Sequence, residues 1–152
     1  MPFQLQHPIV QTFVLTELDP SGEAKITFRQ ATARENQIRD TLVFSQQQRT
    51  IGLDGVRVSN AKPWSVRQEI EVRLTIAGAE GILRPDGSPL FRFKGGMLDM
   101  SDDEFHEAWG IIHPQAVCDA LHDKCLNVNA DWDWRAREGA KNPPPAEESE
   151  IE

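Results

Sequence analysis

The sequence predicts an α+β fold: an N-terminal β-hairpin or small sheet, a mainly helical bundle after it, and a flexible acidic C-terminal tail. Three observations predict it. Lys25-Ile26-Thr27-Phe28-Arg29 alternates polar and apolar residues, the period of two shown by a half-buried strand. Beyond Ala31 the apolar spacing lengthens toward the 3.6-residue period of helices. From Ala136 the chain loses apolar residues and runs through Pro143-Pro144-Pro145 into Glu147, Glu148, Glu150 and Glu152. Such a segment buries too little apolar surface to offset its ordering entropy. Residues 1–135 are therefore expected to form a single domain and residues 136–152 a tail.

The elements follow in order. Residues 8–17 are rich in β-branched and aromatic types, and Asp19-Pro20-Ser21-Gly22 supplies turn chemistry before the alternating strand, so the two runs read as a hairpin. Ala31 to Arg49 has no Gly or Pro and reads as a helix, with Thr32 as N-cap, Glu35 completing a capping box, and Ile38, Leu42 and Val43 on the inward stripe. Gly52-Leu53-Asp54-Gly55 is a turn and Val56-Arg57-Val58 a short strand. Residues 64–79 carry two patterns. Ile70, Val72, Leu74 and Ile76 alternate as in a strand, while Val66, Ile70, Leu74 and Ala77 trace a helix face. Pro63 before the stretch, Gly78 near its end and its length favour the helix.

Arg84 to Pro89 is a turn, Leu90-Phe91-Arg92-Phe93 a short extended piece, and Gly95-Gly96 a break. Ser101 with Glu104 forms a second capping box, and Asp102 and Asp103 favour the positive end of the helix dipole. Phe105, Ala108 and Trp109 share one face of that short helix, which Gly110 ends. Pro114 suits the first position of a helix over 114–127, with Val117, Leu121 and Cys125 in line and Cys118 beside them.

Composition narrows the function. A chain of 152 residues with net charge −8 lacks the Lys/Arg surplus that nonspecific phosphate contact needs, so nucleic acid is not an expected partner. No apolar run approaches the roughly 20 residues of a membrane span, and the opening residues carry no secretory pattern. The expectation is a cytoplasmic protein. The charge is segregated along the chain: residues 23–94 hold twelve Lys/Arg against eight Asp/Glu (+4), and residues 97–133 hold nine Asp/Glu against Lys124 alone (−8). That acidic half is expected to steer a basic partner or, more simply, to solvate helix faces.

Catalytic and metal chemistry find little support. Cys118, His122 and Cys125 share a helix face, but the close cysteine pair of a structural zinc knuckle is missing. The two cysteines lie two turns apart, about 10 Å of rise, too far to bridge on an intact helix. No nucleophile elbow, His-Glu-x-x-His pair or phosphate loop occurs. No catalytic residue, metal or cofactor is expected. Trp64, Trp109, Trp132 and Trp134 are the more suggestive set, because tryptophan anchors many interfaces. The candidate partner-binding residues are Trp109, Trp132 and Trp134 with Asp102, Asp103 and Glu107; core packing is the competing reading of each tryptophan.

Three segments carry a resemblance: Ile26 to Glu35, where a strand feeds a helix; Leu90-Phe91-Arg92-Phe93 after an Asp-Gly turn; and Phe105-His106-Glu107-Ala108-Trp109-Gly110, followed by Pro114 and a helix ending in Asn127-Val128-Asn129-Ala130-Asp131-Trp132. Over about two-thirds of its length the chain resembles the tail assembly chaperones of long-tailed bacteriophages. The resemblance implies a non-enzymatic protein of the host cytoplasm that binds the tape-measure protein, recruits the major tail-tube protein, and is absent from the mature virion. Self-association into a homo-oligomer is compatible with it. Another small phage structural or head–tail joining protein, or a small cytoplasmic enzyme with a Cys/His site, are the alternative readings.

Overall fold

A computed structural model describes residues 2–44, 48–52, 55–59 and 63–133. The hairpin, the changes of period and the caps build an α+β domain, with a small antiparallel sheet followed by four helices. Strands β1 (Val10–Val14) and β2 (Lys25–Arg29) pair antiparallel, Val10 opposite Arg29 and Val14 opposite Lys25. The Asp19 carboxylate shapes their connection, accepting hydrogen bonds from the N–H groups of Ser21, Glu23 and Ala24 at 3.1 Å each. Gly22 adopts φ +81° there, the left-handed region that glycine enters without a Cβ penalty.

Helix α1 (Ala33–Phe44) begins as expected: Glu35 N–H donates to Thr32 Oγ1 at 3.2 Å, and Thr32 N–H to Glu35 Oε1 at 3.0 Å. It ends earlier than expected. The helix stops at Phe44, and Gln48–Gly52 forms strand β3, paired antiparallel with β4 (Gly55–Ser59) and closed at Gly52 opposite Gly55. Arg49-Thr50-Ile51 is better suited to a pleated ladder than to a final helical turn, because β-branched residues lose rotamer freedom in helices. The inward stripe also differs: Arg39 and Val43 are buried, while Ile38 is exposed.

The two patterns read in residues 64–79 are both present, in succession. Helix α2 spans Trp64–Thr75 and strand β5 spans Ile76–Glu80, so the helix expected to reach Ala79 ends four residues sooner. β5 pairs antiparallel with β2, completing a sheet of order β1-β2-β5. Thr27 faces Gly78 and Phe28 faces Ile76, so Ala77 is the extra residue of a bulge. That bulge lets Phe28 and Ile76 both enter the core. Gly81, at φ +71°, cannot be replaced without a clash, since a Cβ would lie 2.5 Å from the Glu23 carbonyl oxygen.

A small hairpin, β6 (Phe93–Lys94) and β7 (Met97–Leu98), turns through Gly95-Gly96. Helix α3 (Asp102–Gly110) carries the expected capping box, Glu104 N–H donating to Ser101 Oγ at 3.1 Å and Ser101 N–H to Glu104 Oε1 at 2.8 Å. Helix α4 (Gln115–Val128) starts one residue later than expected, with Pro114 as its N-cap, and a 3-10 turn follows at Ala130–Trp132. Helix α4 lies against β1, β2 and α2. One core gathers Leu15, Ile26 and Phe28 from the sheet side with Phe105, Trp109, Leu121 and Trp132 from the helical side. Phe91 stacks on Phe105 at 5.4 Å and Phe105 on Trp109 at 6.0 Å between ring centroids. The tail, residues 136–152, lies outside the described residues. Among the described residues no helix is long and apolar enough to cross a membrane.

Candidate functional site

The buried face of α2 is not its apolar stripe. Gln68, Glu71 and Thr75 turn inward together with Ile70 and Val72, while Val66, expected in the core, is exposed. Gln68, Glu71 and Thr75 lie three and four residues apart, so they share one face, and that face meets α4. Glu71 is fully buried between the side chains of Arg39 and His122. Its Oε2 accepts from Arg39 Nε at 2.8 Å and Nη2 at 2.6 Å, and its Oε1 accepts from His122 Nε2 at 2.6 Å. A carboxylate only accepts, so Nε2 of His122 is the nitrogen that donates to Glu71.

Around this triad the remaining polar groups are mostly satisfied. Thr75 Oγ1 donates to the Glu71 carbonyl at 2.8 Å and lies 3.3 Å from Cys125 Sγ. Gln68 Nε2 donates to Asp119 Oδ1 at 2.7 Å, and Gln115 Nε2 donates to Gln68 Oε1 at 3.0 Å and to the same Asp119 oxygen at 3.2 Å. The donors Gln68 and Gln115, with His122 nearby, hold the Asp119 carboxyl below its ordinary range. Arg39 also lies over the Trp132 ring at 5.5 Å, and Arg67 over Trp64 at 5.5 Å. The Arg67 Nε is buried with no hydrogen-bond partner among the described residues.

An open cleft of about 800 Å³ runs between the N-terminal halves of α2 and α4. Trp64, Gln68, Gln115, Asp119, His122 and Asp123 line it. His122 is 1% exposed and sits at the floor, its ring meeting Trp64 edge-on at 5.0 Å. The cleft and the Arg39-Glu71-His122 triad were not expected from the sequence. The spacing of Gln68, Glu71 and Thr75 was present there, but polar residues at helical spacing read as a solvated face.

The expected partner-binding residues divide into two groups. Trp109 and Trp132 are 6% and 3% exposed, so the anchor reading gives way to the packing reading for both. Trp132 Nε1 donates to Asn36 Oδ1 at 2.7 Å, which satisfies its one polar atom inside the core. Trp134 lies outside the described residues. Asp102, Asp103 and Glu107 are exposed on α3. Asp102 pairs with Arg73 at 2.9 Å and Glu107 with Arg84 at 3.3 Å, whereas Asp103 has no ionic partner among the described residues. Arg92 similarly reaches Asp99 and Glu104. The basic first half of the chain thus folds onto the acidic second half, and much of the segregated charge is neutralised within the domain.

The cysteines are separate buried thiols and not a cluster. Burial raises the Cys118 thiol, and it pushes Cys125 up to about 12. Among the described residues no three His, Cys, Asp or Glu side chains gather in a way that could hold a metal ion.

Apolar surface is instead concentrated at the sheet edge. Phe3 and Leu5 are 87% and 83% exposed, and Ile9, Val10 and Val14 continue the exposed apolar path along the arm into β1. The arm is tied to the sheet where Gln30 N–H donates to the Ile9 carbonyl at 2.7 Å. β1 is an edge strand, and its outer edge has no strand partner among the described residues.

Comparison with known proteins finds no matching family model, no matching curated protein and no matching solved structure.

Proposed function

We propose that this protein is a non-catalytic tail assembly chaperone of a long-tailed bacteriophage. It works in the host cytoplasm, binds the tape-measure protein, recruits tail-tube subunits, and leaves before the virion is complete. The observation that carries this reading is the exposed apolar arm of Phe3, Leu5 and Ile9 running into the open edge of β1. An open edge offers a row of main-chain donors and acceptors, and side chains of alternating direction give selectivity to a strand added there. Proteins usually guard such an edge with lysine, proline or a bulge. The β1 sequence, Val-Gln-Thr-Phe-Val, contains neither lysine nor proline.

The resemblance supports the framework more than the binding surface. Its quoted segments supply Phe28, Phe91, Phe105, Trp109 and Trp132, all of them core residues. The reading therefore moves the partner contact from the tryptophans to the arm and β1, with Asp103 of α3 left to influence encounter.

The test is co-expression of the candidate tape-measure protein alone, with this chain, and with a Phe3→Ser/Leu5→Ser variant. The partner should be soluble and recovered in complex with the parent chain, and largely insoluble in the other two cases. Equal solubility in all three, with no complex on pull-down, overturns the proposal. Detection of this chain in purified virions at structural stoichiometry would favour a head–tail joining role instead.

A further inference from the structure

We infer that the open edge of β1 pairs antiparallel with β1 of a second copy of this chain, about a two-fold axis at Thr12, and that this pair is the resting form of the protein. The inference deepens the proposed function and rests on it only for the tape-measure protein being what displaces the second copy. The main chain shows which groups are free. Leu15 N–H donates to the Ala24 carbonyl at 2.8 Å, and Gln30 N–H donates to the Ile9 carbonyl at 2.7 Å. Bonding alternates along an antiparallel pair, so Ile9, Gln11, Phe13 and Leu15 turn their main-chain groups to β2. Val10, Thr12 and Val14 turn theirs to the open edge. Their side chains share the sheet face away from the core, because Phe13, opposite Ile26, packs inward. The Thr12 hydroxyl on that face is already bonded to the Thr27 hydroxyl at 2.7 Å.

The outward residues read the same from either end of the strand. Turned end for end, β1 of a second copy sets its Val14 against Val10, its Thr12 against Thr12 and its Val10 against Val14. Each pair exchanges two N–H···O bonds, so every outward main-chain group of the strand is satisfied, and the facing side chains are all β-branched. Sliding the register by one pair sets Val14 against Pro8, which has no N–H, or Val10 against Thr16, which lies beyond the strand. The net charge of −8 opposes self-association, yet residues 2–16 contain no Asp, Glu, Lys or Arg, so edge and arm meet without like-charge contact. The arm of each copy then continues past Val14 of the other toward its Leu18, which is also exposed. A two-fold contact closes at two copies, and it covers an edge that neither lysine nor proline guards.

The experiment is sedimentation of the full chain from about 1 to about 300 µM, where a concentration-dependent dimer is expected. Val10→Lys/Val14→Lys sets cations on the facing pairs and should weaken the dimer roughly tenfold or more. Leu83→Lys/Ile111→Lys makes the same charge change at exposed apolar residues of a separate groove and should leave it within about twofold. Urea midpoints close to the parent's establish that both variants fold. Register is read by cross-linking under mild oxidation. Thr12→Cys stands opposite its own copy and should give a disulfide-linked dimer, whereas Gln11→Cys, on the other sheet face, should give little. Should the edge lysine variant unfold, the cross-link alone decides. A chain that stays monomeric, a dimer weakened equally by both lysine variants or by neither, or cross-linking as fast for Gln11→Cys as for Thr12→Cys overturns the inference. Tape-measure protein kept soluble by a chain that is monomeric alone would sink this inference and leave the chaperone reading standing; a β1 dimer with no effect on tape-measure solubility would do the reverse.

Discussion

Glu71 Oε1 and His122 Nε2 are 2.6 Å apart in the protein interior, although 51 positions separate the two residues in the chain. With Arg39 they form a buried ionic cluster whose desolvation is costly and whose geometry repays it. Removing Arg39 or Glu71 alone leaves an uncompensated buried charge, whereas removing all three members does not. Glu71→Ala should destabilise the domain by about 3–5 kcal/mol, and an Arg39→Met/Glu71→Leu/His122→Leu triple variant should recover most of that loss. Urea titration measures both. A Glu71→Ala protein as stable as the parent would show that the cluster contributes nothing.

Trp132→Ala should act on folding. The ring is enclosed by the core and its Nε1 is bonded to Asn36, so truncation leaves both a cavity and an unpaired amide oxygen. The expected cost is about 3–5 kcal/mol, the range for large aromatic truncations in a core. Thermal and denaturant midpoints should both fall. An unchanged midpoint accompanied by lost partner binding would restore the interface role.

Acid should weaken the start of α1. Burial opposes the charged form of Glu35, but the Arg29 guanidinium and the Thr32 N–H outweigh it and hold the carboxyl below its ordinary 4.5. A depressed folded pKa means that Glu35 contributes its stability above the unfolded value, and that this is lost as pH falls through the lower folded value. Glu35→Gln should therefore lower stability at neutral pH and shrink the fall on acidification. Urea midpoints followed from neutrality down to about pH 2 test this; parallel curves for parent and variant would exclude the assignment.

The thiols should report unfolding. Cys118 and Cys125 are buried and both are shifted away from the reactive thiolate. In native buffer a disulfide reagent should label Cys125 no faster than the protein opens, and labelling should accelerate with added urea in step with loss of structure. Prompt labelling of Cys125 in the absence of denaturant would contradict its position in the core.

The sequence made local features legible and left the non-local ones hidden. Both capping boxes, the first hairpin and the Phe105-Ala108-Trp109 face depend on residues within a few positions of each other, and each is present. The helix boundary at Thr75 was hidden because Ile70, Val72, Leu74 and Ile76 satisfy a strand period inside a helix. Pairing of Ile76 with Phe28 decides where the helix ends, and that partner is far away in sequence. The candidate site was hidden for the same reason. Glu71 looks like a solvated residue until Arg39 and His122 arrive from other helices. Trp109 and Trp132 were overvalued as anchors because tryptophan serves cores and interfaces equally well.

Helix α2 passes into β5 without a linking residue. The Ile76 N–H closes the last helical turn on the Val72 carbonyl, and the same residue pairs with Phe28 in the sheet. One residue thus belongs to two hydrogen-bond systems, and there is no slack between them. Turning α2 about its axis must drag β5 along β2, so helix and strand behave as a single lever. Its long arm ends at Trp64, beside the cleft, and its short arm is one margin of the three-stranded sheet. β1 and the apolar arm form the opposite margin, with β2 as the fulcrum between them. Any strand added at the β1 margin would therefore load the same narrow beam that carries α2 on its other side.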